Sequence, residues 1–253
     1  MRPQVVAHRG ASFEKPEHTL AAYLEAIREG ADALECDVRL TADGHLVCVH
    51  DRDLRRTASA NGLVSTMELA DLDQLEFASW KNPWAVFDDE PPDLSKVLTL
   101  RRLLETVAEA DRRIELAIET KHPTRYGGLV ERRLVQLLTE FGWAGEDSPV
   151  RVMSFSFTAL QRVSRLAPRL ELVMLLDKAH HWPMLRRMVE PGWIIGPGIK
   201  ELRDHPGLGR HLGGRRVFVW TVNSQADLEL CQSLGVEAVI TDRPAYMLER
   251  LGR

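Results

Sequence analysis

A handful of ionisable residues sit beside short apolar, β-branched runs of the 253-residue sequence: His8-Arg9, Glu35 and Asp37, His50, and Glu119 with Lys121. Strand side chains alternate between two faces, so Glu35 and Asp37 share one face while Leu34, Cys36 and Val38 take the other. Glu119 and Lys121 share a face in the same way. Two buried carboxylates that close repel unless something neutralises them, and Glu119 from the next strand adds to the repulsion. A hard divalent cation relieves it. An all-oxygen donor set suits Mg²⁺ or Ca²⁺ better than Zn²⁺. The two imidazoles titrate near neutral pH, so one can accept a proton while the other donates one to a leaving alkoxide. Arg9 and Lys121 can neutralise charge growing on phosphoryl oxygens, and a metal can polarise them. Together these groups point to chemistry on a phosphate ester.

Such groups need a scaffold that gathers strand ends. Strand-like runs recur at Val5–Ala7, Ala33–Leu40, Leu46–Val49, Ile114–Thr120, Val150–Ser156, Leu170–Leu176, Trp193–Ile199, Arg216–Val222 and Ala238–Thr241. Helical patterns lie between most of them. Leu20, Tyr23, Leu24 and Ile27 share a face before Gly30, and Leu100, Leu103, Leu104 and Val107 follow a candidate cap at Thr99. Val130 to Phe141 precedes Gly142, and Leu160, Val163 and Leu166 run up to Pro168, which stops a helix. Ser224 to Asp227 reads as a capping box, and Pro244 opens a last helix. About eight such units in this length fit a (β/α)8 barrel, with an open doubly wound sheet as the rival. Only Gly10 follows the first strand, so no glycine-rich dinucleotide fingerprint supports the rival. In a barrel, the active site lies at the C-terminal strand ends, where the residues above are found. A two-residue turn at Asp43-Gly44 would pair Ala42 with His45 and set His50 opposite Asp37. The stretch from Arg52 to Leu98 breaks the rhythm. It holds Trp80, Trp84, two proline clusters and the acidic run Asp88-Asp89-Glu90, and it reads as an insertion with a solvated surface rather than a second domain.

Composition narrows the alternatives. With 44% hydrophobic and 28% charged residues, the chain has the make-up of a globular protein. Its net charge of −4 argues against a nucleic-acid partner, which needs a basic footprint. No apolar stretch is long enough to span a bilayer, so no stable membrane insertion is expected. Cys36, Cys48 and Cys231 are odd in number and lack CxxC spacing, and no signal peptide is evident. These features suggest a reducing cytoplasm. His180, His181, His205 and His211 read as solvated. Trp220 and Phe155 read equally as core or as a wall of the substrate pocket.

The strings HRGASFEKPEHTLAAY, GADALECDVRLTADGHLVCVHD, IETK, VWTVN and AVITDRP resemble the glycerophosphodiester phosphodiesterase family over essentially the whole chain. The resemblance implies a single (β/α)8 TIM barrel across residues 1–253, with an insertion after the second strand at about 52–98. It implies hydrolysis of a small-molecule glycerophosphodiester to glycerol 3-phosphate and an alcohol, with one divalent cation, Mg²⁺ or Ca²⁺. His8 and His50 would be the acid/base pair, Glu35, Asp37 and Glu119 the metal ligands, and Arg9 and Lys121 the phosphate contacts. The family often reads PENT where this chain has Pro16-Glu17-His18-Thr19, which gives His18 a supporting role. Two routes stay open: direct attack by water, or attack by the glycerol 2-hydroxyl through a cyclic phosphate. Cleavage of a lysophospholipid head group and binding without turnover are the competing functions. The oligomeric state is left open.

Overall fold

The computed structural model describes residues 2–81, 94–212 and 214–253. Nine strands are found there: β1 Gln4–His8, β2 Ala33–Leu40, β3 Leu46–Cys48, β4 Glu115–Thr120, β5 Val150–Ser154, β6 Glu171–Leu176, β7 Ile194–Pro197, β8 Phe218–Val219 and β9 Ala238–Thr241. Eight of them run parallel in the order β7-β6-β5-β4-β2-β1-β9-β8. The seam between β7 and β8 is joined by parallel bridges Ile195–Val217 and Gly198–Trp220, which makes a nearly closed barrel. The expected strand at Arg216–Val222 is therefore shorter in the regular sheet, and its outer residues join the seam as single bridges.

Helix boundaries follow local chemistry. Thr19, Thr99, Ser156 and Ser224 each accept a backbone N–H at the start of a helix. The helix Leu20–Arg28 is followed by Gly30, whose φ of +91° suits a glycine. Leu129–Glu140 and Gln225–Ser233 are followed by Gly142 and Gly235, also in the left-handed region.

Alternation along the strands sorts the core. Val6, Ala33, Ala117, Met153, Val173, Ile194, Phe218 and Ala238 fill the barrel interior. The opposite strand faces, with Val5, Leu34, Cys36, Leu116, Val152 and Val239, pack against the helices. Two residues further along the inward faces come His8, Glu35 and Glu119, with Asp37 one step beyond Glu35. The interior thus changes from apolar at one end to ionisable at the C-terminal mouth.

The hairpin differs from its expected register by one residue. β2 pairs with β3 as Val38–Cys48, Arg39–Val47 and Leu40–Leu46. The connection is longer than a two-residue turn: Thr41 N–H bonds the His45 carbonyl at 2.9 Å, and Gly44 takes φ +89°. This places Val49, not His50, at Asp37, and the Val49 N–H donates to the Asp37 carbonyl at 3.0 Å. His50 lies past the end of β3, where Arg39 Nε and Nη2 hold its carbonyl at 3.0 and 2.7 Å. After β3, Leu54, Val64, Leu72, Phe77 and Val97 form a small core of their own with Val47 and Val49 of the hairpin. The acidic run Asp88-Asp89-Glu90, together with Trp84 and Phe87, lies outside the described residues.

Gly10 ends β1's turn at φ +84°, and a Cβ there would sit 2.6 Å from the backbone carbon of Ala22. Gly10→Ala therefore combines strain with a backbone clash and is expected to cost about 2 kcal/mol or more. Thermal unfolding should shift down by roughly 4–8 °C in a chain of this size. An unchanged melting temperature would show that the close approach is not needed.

Candidate active site

The barrel mouth holds a pocket with two unlike halves. His8, Arg9, Glu35, His50, Glu119 and Lys121 line one half, and Met153, Phe155, Leu175, Trp220 and Ile240 line the other. It encloses about 580 Å³ of empty space open to solvent. Each residue expected from the sequence to form the site borders this pocket, except Asp37, which is buried beneath it.

Glu35, Asp37 and Glu119 each bring a carboxylate oxygen to within 4.8 Å of the others. They are 2%, 1% and 7% exposed, so water screens them poorly. Burial and the neighbouring Asp37 push Glu35 well above the usual carboxylate range, and the same causes push Glu119 up to about 8. Burial also works against ionisation of Asp37. The His18 hydrogen bond and the charges of Lys121 and Arg9 overcome it and hold Asp37 well below its usual value. Asp37 is the anchored anion, while the two glutamates lack enough positive charge. A divalent cation between the three would supply it, and the donor set fits a hard ion.

His18 accounts for much of this anchoring. Its Nε2 lies 2.9 Å from Asp37 Oδ2, and its Nδ1 lies 2.8 Å from the Tyr23 hydroxyl. That hydroxyl donates to the Glu35 carbonyl at 3.1 Å. The imidazole is buried, which lowers its pKa despite the pull of Asp37. The geometry thus places His18 beneath the acidic cluster, hydrogen-bonded to it.

The two cationic side chains are held by the same acids. Arg9 Nε is 3.1 Å from Asp37 Oδ2 and Arg9 Nη1 is 2.9 Å from Glu17 Oε1. Lys121 Nζ is 2.8 Å from Glu119 Oε1 and 3.3 Å from Asp37 Oδ1. Trp220 lines the pocket and is also packed: its Nε1–H donates to the Gly196 carbonyl at 2.7 Å, and it meets Phe155 edge to face at 5.4 Å.

Both pocket histidines have a carboxylate at Nδ1. His8 Nδ1 is 2.6 Å from Asp242 Oδ1, and Asp242 also accepts from Asn223 Nδ2 at 2.6 Å and Ser12 at 3.1 Å. His50 Nδ1 is 2.8 Å from Asp51 Oδ1. A carboxylate there fixes the ring and its tautomer, leaving Nε2 for the pocket. Burial lowers the His50 pKa, opposed by Asp37 and reinforced by Arg9 and Lys121.

Several supporting residues were not singled out by the sequence. Asp242 follows β9 at a strand end, the position class that drew attention to His8, but no role was read for it from the sequence. Asp51 is adjacent to His50. Glu17 stood within the Pro16-Glu17-His18-Thr19 motif without a role, and Arg56 gave no local signal. Arg56 Nη1 and Nη2 bond Glu17 at 2.7 Å each, its Nε bonds Asp51 Oδ2 at 2.5 Å, and its guanidinium lies 5.4 Å from the centre of a Trp80 ring. It joins the partner of Arg9 to the partner of His50, although Arg56 itself is 39 residues from Glu17 in the sequence. Away from the mouth, His180, His205 and His211 are exposed and His181 is partly exposed. Two of them do have acids nearby, His181 with Asp177 at 3.4 Å and His205 with Glu201 at 3.8 Å.

These arrangements make the cation testable without an activity assay. Binding should raise thermal stability, by about 2.7 kcal/mol at a hundred times Kd, and EDTA should reverse it. Glu119 titrates near 8 in the cation-free protein, so binding must displace its proton. Affinity should weaken as pH falls below 8, when that proton is held more firmly. Calorimetry showing no binding of Mg²⁺ or Ca²⁺ at pH 8 would remove the cation from the site. Arg56→Met should weaken the hold on Asp51 and Glu17, lowering turnover at least several-fold with little loss of fold. A variant with wild-type turnover would show that the bridge is only a surface contact.

Comparisons with known proteins identify the family. The sequence model of the glycerophosphoryl diester phosphodiesterase family matches residues 8–246. A Mycobacterium tuberculosis protein named probable glycerophosphodiester phosphodiesterase 1 is 45% identical over 248 residues, covering 96% of this chain and 90% of its own. A Bacillus subtilis glycerophosphodiester phosphodiesterase is 32% identical over 246 residues, covering 94% and 83%. Among solved structures, an Oleispira antarctica phosphodiesterase in complex with its product sn-glycerol-3-phosphate superposes with a TM-score of 0.83 at 25% identity, covering 99% of this chain and 97% of that one. With the barrel, the acidic cluster and these matches in hand, the chain belongs to the glycerophosphoryl diester phosphodiesterase family and is a phosphodiester hydrolase.

Proposed function

We propose that the protein is a divalent-cation-dependent hydrolase that cleaves glycerophosphodiesters to glycerol 3-phosphate and an alcohol, with His8 and His50 as the acid/base pair. The observation that carries this reading is the pair of carboxylate-held imidazoles flanking one pocket above three buried carboxylates. The product bound to the Oleispira relative supports glycerol 3-phosphate as the product here.

Glu35, Asp37 and Glu119 are the residues that would hold the cation. Mg²⁺ or Ca²⁺ bound there would polarise the phosphoryl oxygens and offset their charge. Arg9 and Lys121 contact the same oxygens, each already steered toward the mouth by its acidic neighbours. His50, lowered by burial, is suited to begin neutral and accept the proton of the attacking hydroxyl. His8, its ring oriented by Asp242, then gives its proton to the leaving oxygen. The attacking hydroxyl belongs either to water or to the glycerol 2-position. Trp220 and Phe155 form an apolar wall for the carbon skeleton of the substrate.

The wider setting is part of the same proposal. One barrel domain spans residues 1–253, with about 52–98 inserted after the β2–β3 hairpin. The separate small core of that stretch supports this division. Among the described residues no helix is long and apolar enough to cross a membrane. The three cysteines are free and buried, which suits a reducing cytoplasm.

The test is glycerol 3-phosphate release from glycerophosphocholine, coupled to glycerol-3-phosphate dehydrogenase. His8→Ala and His50→Ala should each lose a factor of roughly 10² to 10⁴ in kcat while remaining folded. EDTA should abolish release, and added Mg²⁺ or Ca²⁺ should restore it. Either histidine variant keeping the wild-type rate would refute its role. Release that persists in EDTA after exhaustive dialysis would refute the cation requirement. A cyclic glycerol phosphate in quenched samples would identify the 2-hydroxyl as the nucleophile.

A further inference from the structure

On the His50 side of the active-site pocket lies a second cleft, walled by basic side chains. Arg39, Arg52 and Arg125 line it together with Ser65 and Thr124. Lys121 lines both the cleft and the pocket, so the two adjoin at that side chain. The cleft is narrow, and no carboxylate is among its described lining residues.

The nearby acids are engaged elsewhere. Asp51 is taken by His50 at 2.8 Å and by Arg56 at 2.5 Å. Asp53 pairs with Arg55 at 2.9 Å. Glu131 pairs with His122 at 3.1 Å and Arg162 at 3.2 Å. Among the described residues, Arg39, Arg52 and Arg125 form no ion pair with a carboxylate. Arg39 gives its hydrogen bonds to a neutral acceptor, the His50 carbonyl, and no described carboxylate touches it directly. Like charges gathered around one cleft repel, and an anion entering it turns that repulsion into attraction.

The identity of the anion follows from the substrate. Arg9 and Lys121 serve the scissile phosphate. The glycerol half of a glycerophosphodiester has no other charge. A second anion next to the pocket must then be part of the alcohol half. Guanidinium groups, with their planar array of donors, match phosphate oxygens well.

We propose that the Arg39–Arg52–Arg125 cleft is a subsite for a second phosphate on the alcohol half of the diester, which makes glycerophosphodiesters of phosphorylated alcohols the favoured substrate class. This rests on the hydrolase reading given above. Arg39 forms the inner wall, and the exposed Arg52 and Arg125 form the rim.

The experiment compares glycerophosphoinositol with glycerophosphoinositol 4-phosphate, which differ only in the second phosphate. The wild-type enzyme should show a kcat/KM at least about tenfold higher for the phosphorylated substrate at low salt. Raising the ionic strength should shrink the difference. Arg52→Gln and Arg125→Gln should each remove most of the preference and leave glycerophosphoinositol turnover unchanged. Equal kcat/KM for the two substrates, or a preference that survives in the Arg52→Gln/Arg125→Gln double variant, would overturn the subsite. Glycerophosphocholine separates the two levels of inference. If it too is not cleaved, the hydrolase reading fails. If it is cleaved and the inositol pair shows no charge preference, only the subsite fails.

Discussion

Asp37 is the charge that the mouth of this barrel is built around. It is 1% exposed and sits within ligand distance of two further acids. An isolated carboxylate in such a place would be driven to protonate. Here three groups, His18, Arg9 and Lys121, each come within 2.9–3.3 Å of it. Removing one partner from a buried arrangement of this kind costs about 3–5 kcal/mol, because the charge left behind cannot be solvated. The position of one aspartate therefore constrains residues from the β1 loop, the turn before the first helix and the end of β4.

The constraint spreads outward through the groups that hold those partners. His18 is fixed by the Tyr23 hydroxyl, and Tyr23 is in turn bonded to the backbone of β2. Arg9 is fixed by Glu17, Glu17 by Arg56, and Arg56 by Asp51, the partner of His50. Two Arg56 bonds and the Arg9 contact hold Glu17 down to about 2, although burial pushes the other way. A chain of alternating charge thus runs from the buried acid to one of the two imidazoles. The other imidazole belongs to a separate group built on Asp242, Asn223 and Ser12. The pocket is accordingly supported by two separate groups of side chains.

Much of this was legible in the chain. Period-two alternation placed Glu35 with Asp37 and Glu119 with Lys121, and the barrel puts both pairs on its inward face. The capping threonines and serines and the glycines at helix ends lie where local rules put them. These features were readable because they depend on residues within a few positions of one another. The hairpin register was not. It turned on whether the connection used two or three residues, a choice settled by the Thr41–His45 bond and by contacts of Asp43 with the Leu69 backbone. The short β8 was also missed as such, because its neighbours Val217 and Trp220 are drawn into the closing seam.

The sequence by itself determined the kind of chemistry: the set of imidazoles, carboxylates and cations, and their placement at strand ends. Residue type and alternation are local properties that need no partner to be read. Only the tertiary structure decided how those groups are charged and aimed. Asp242 is 234 residues from His8, and Arg56 is 39 from Glu17. Whether such pairs meet is fixed by barrel closure and by the packing of the segment after β3. Those distances, together with burial, set which carboxylate is held as an anion and which are pushed toward the neutral form.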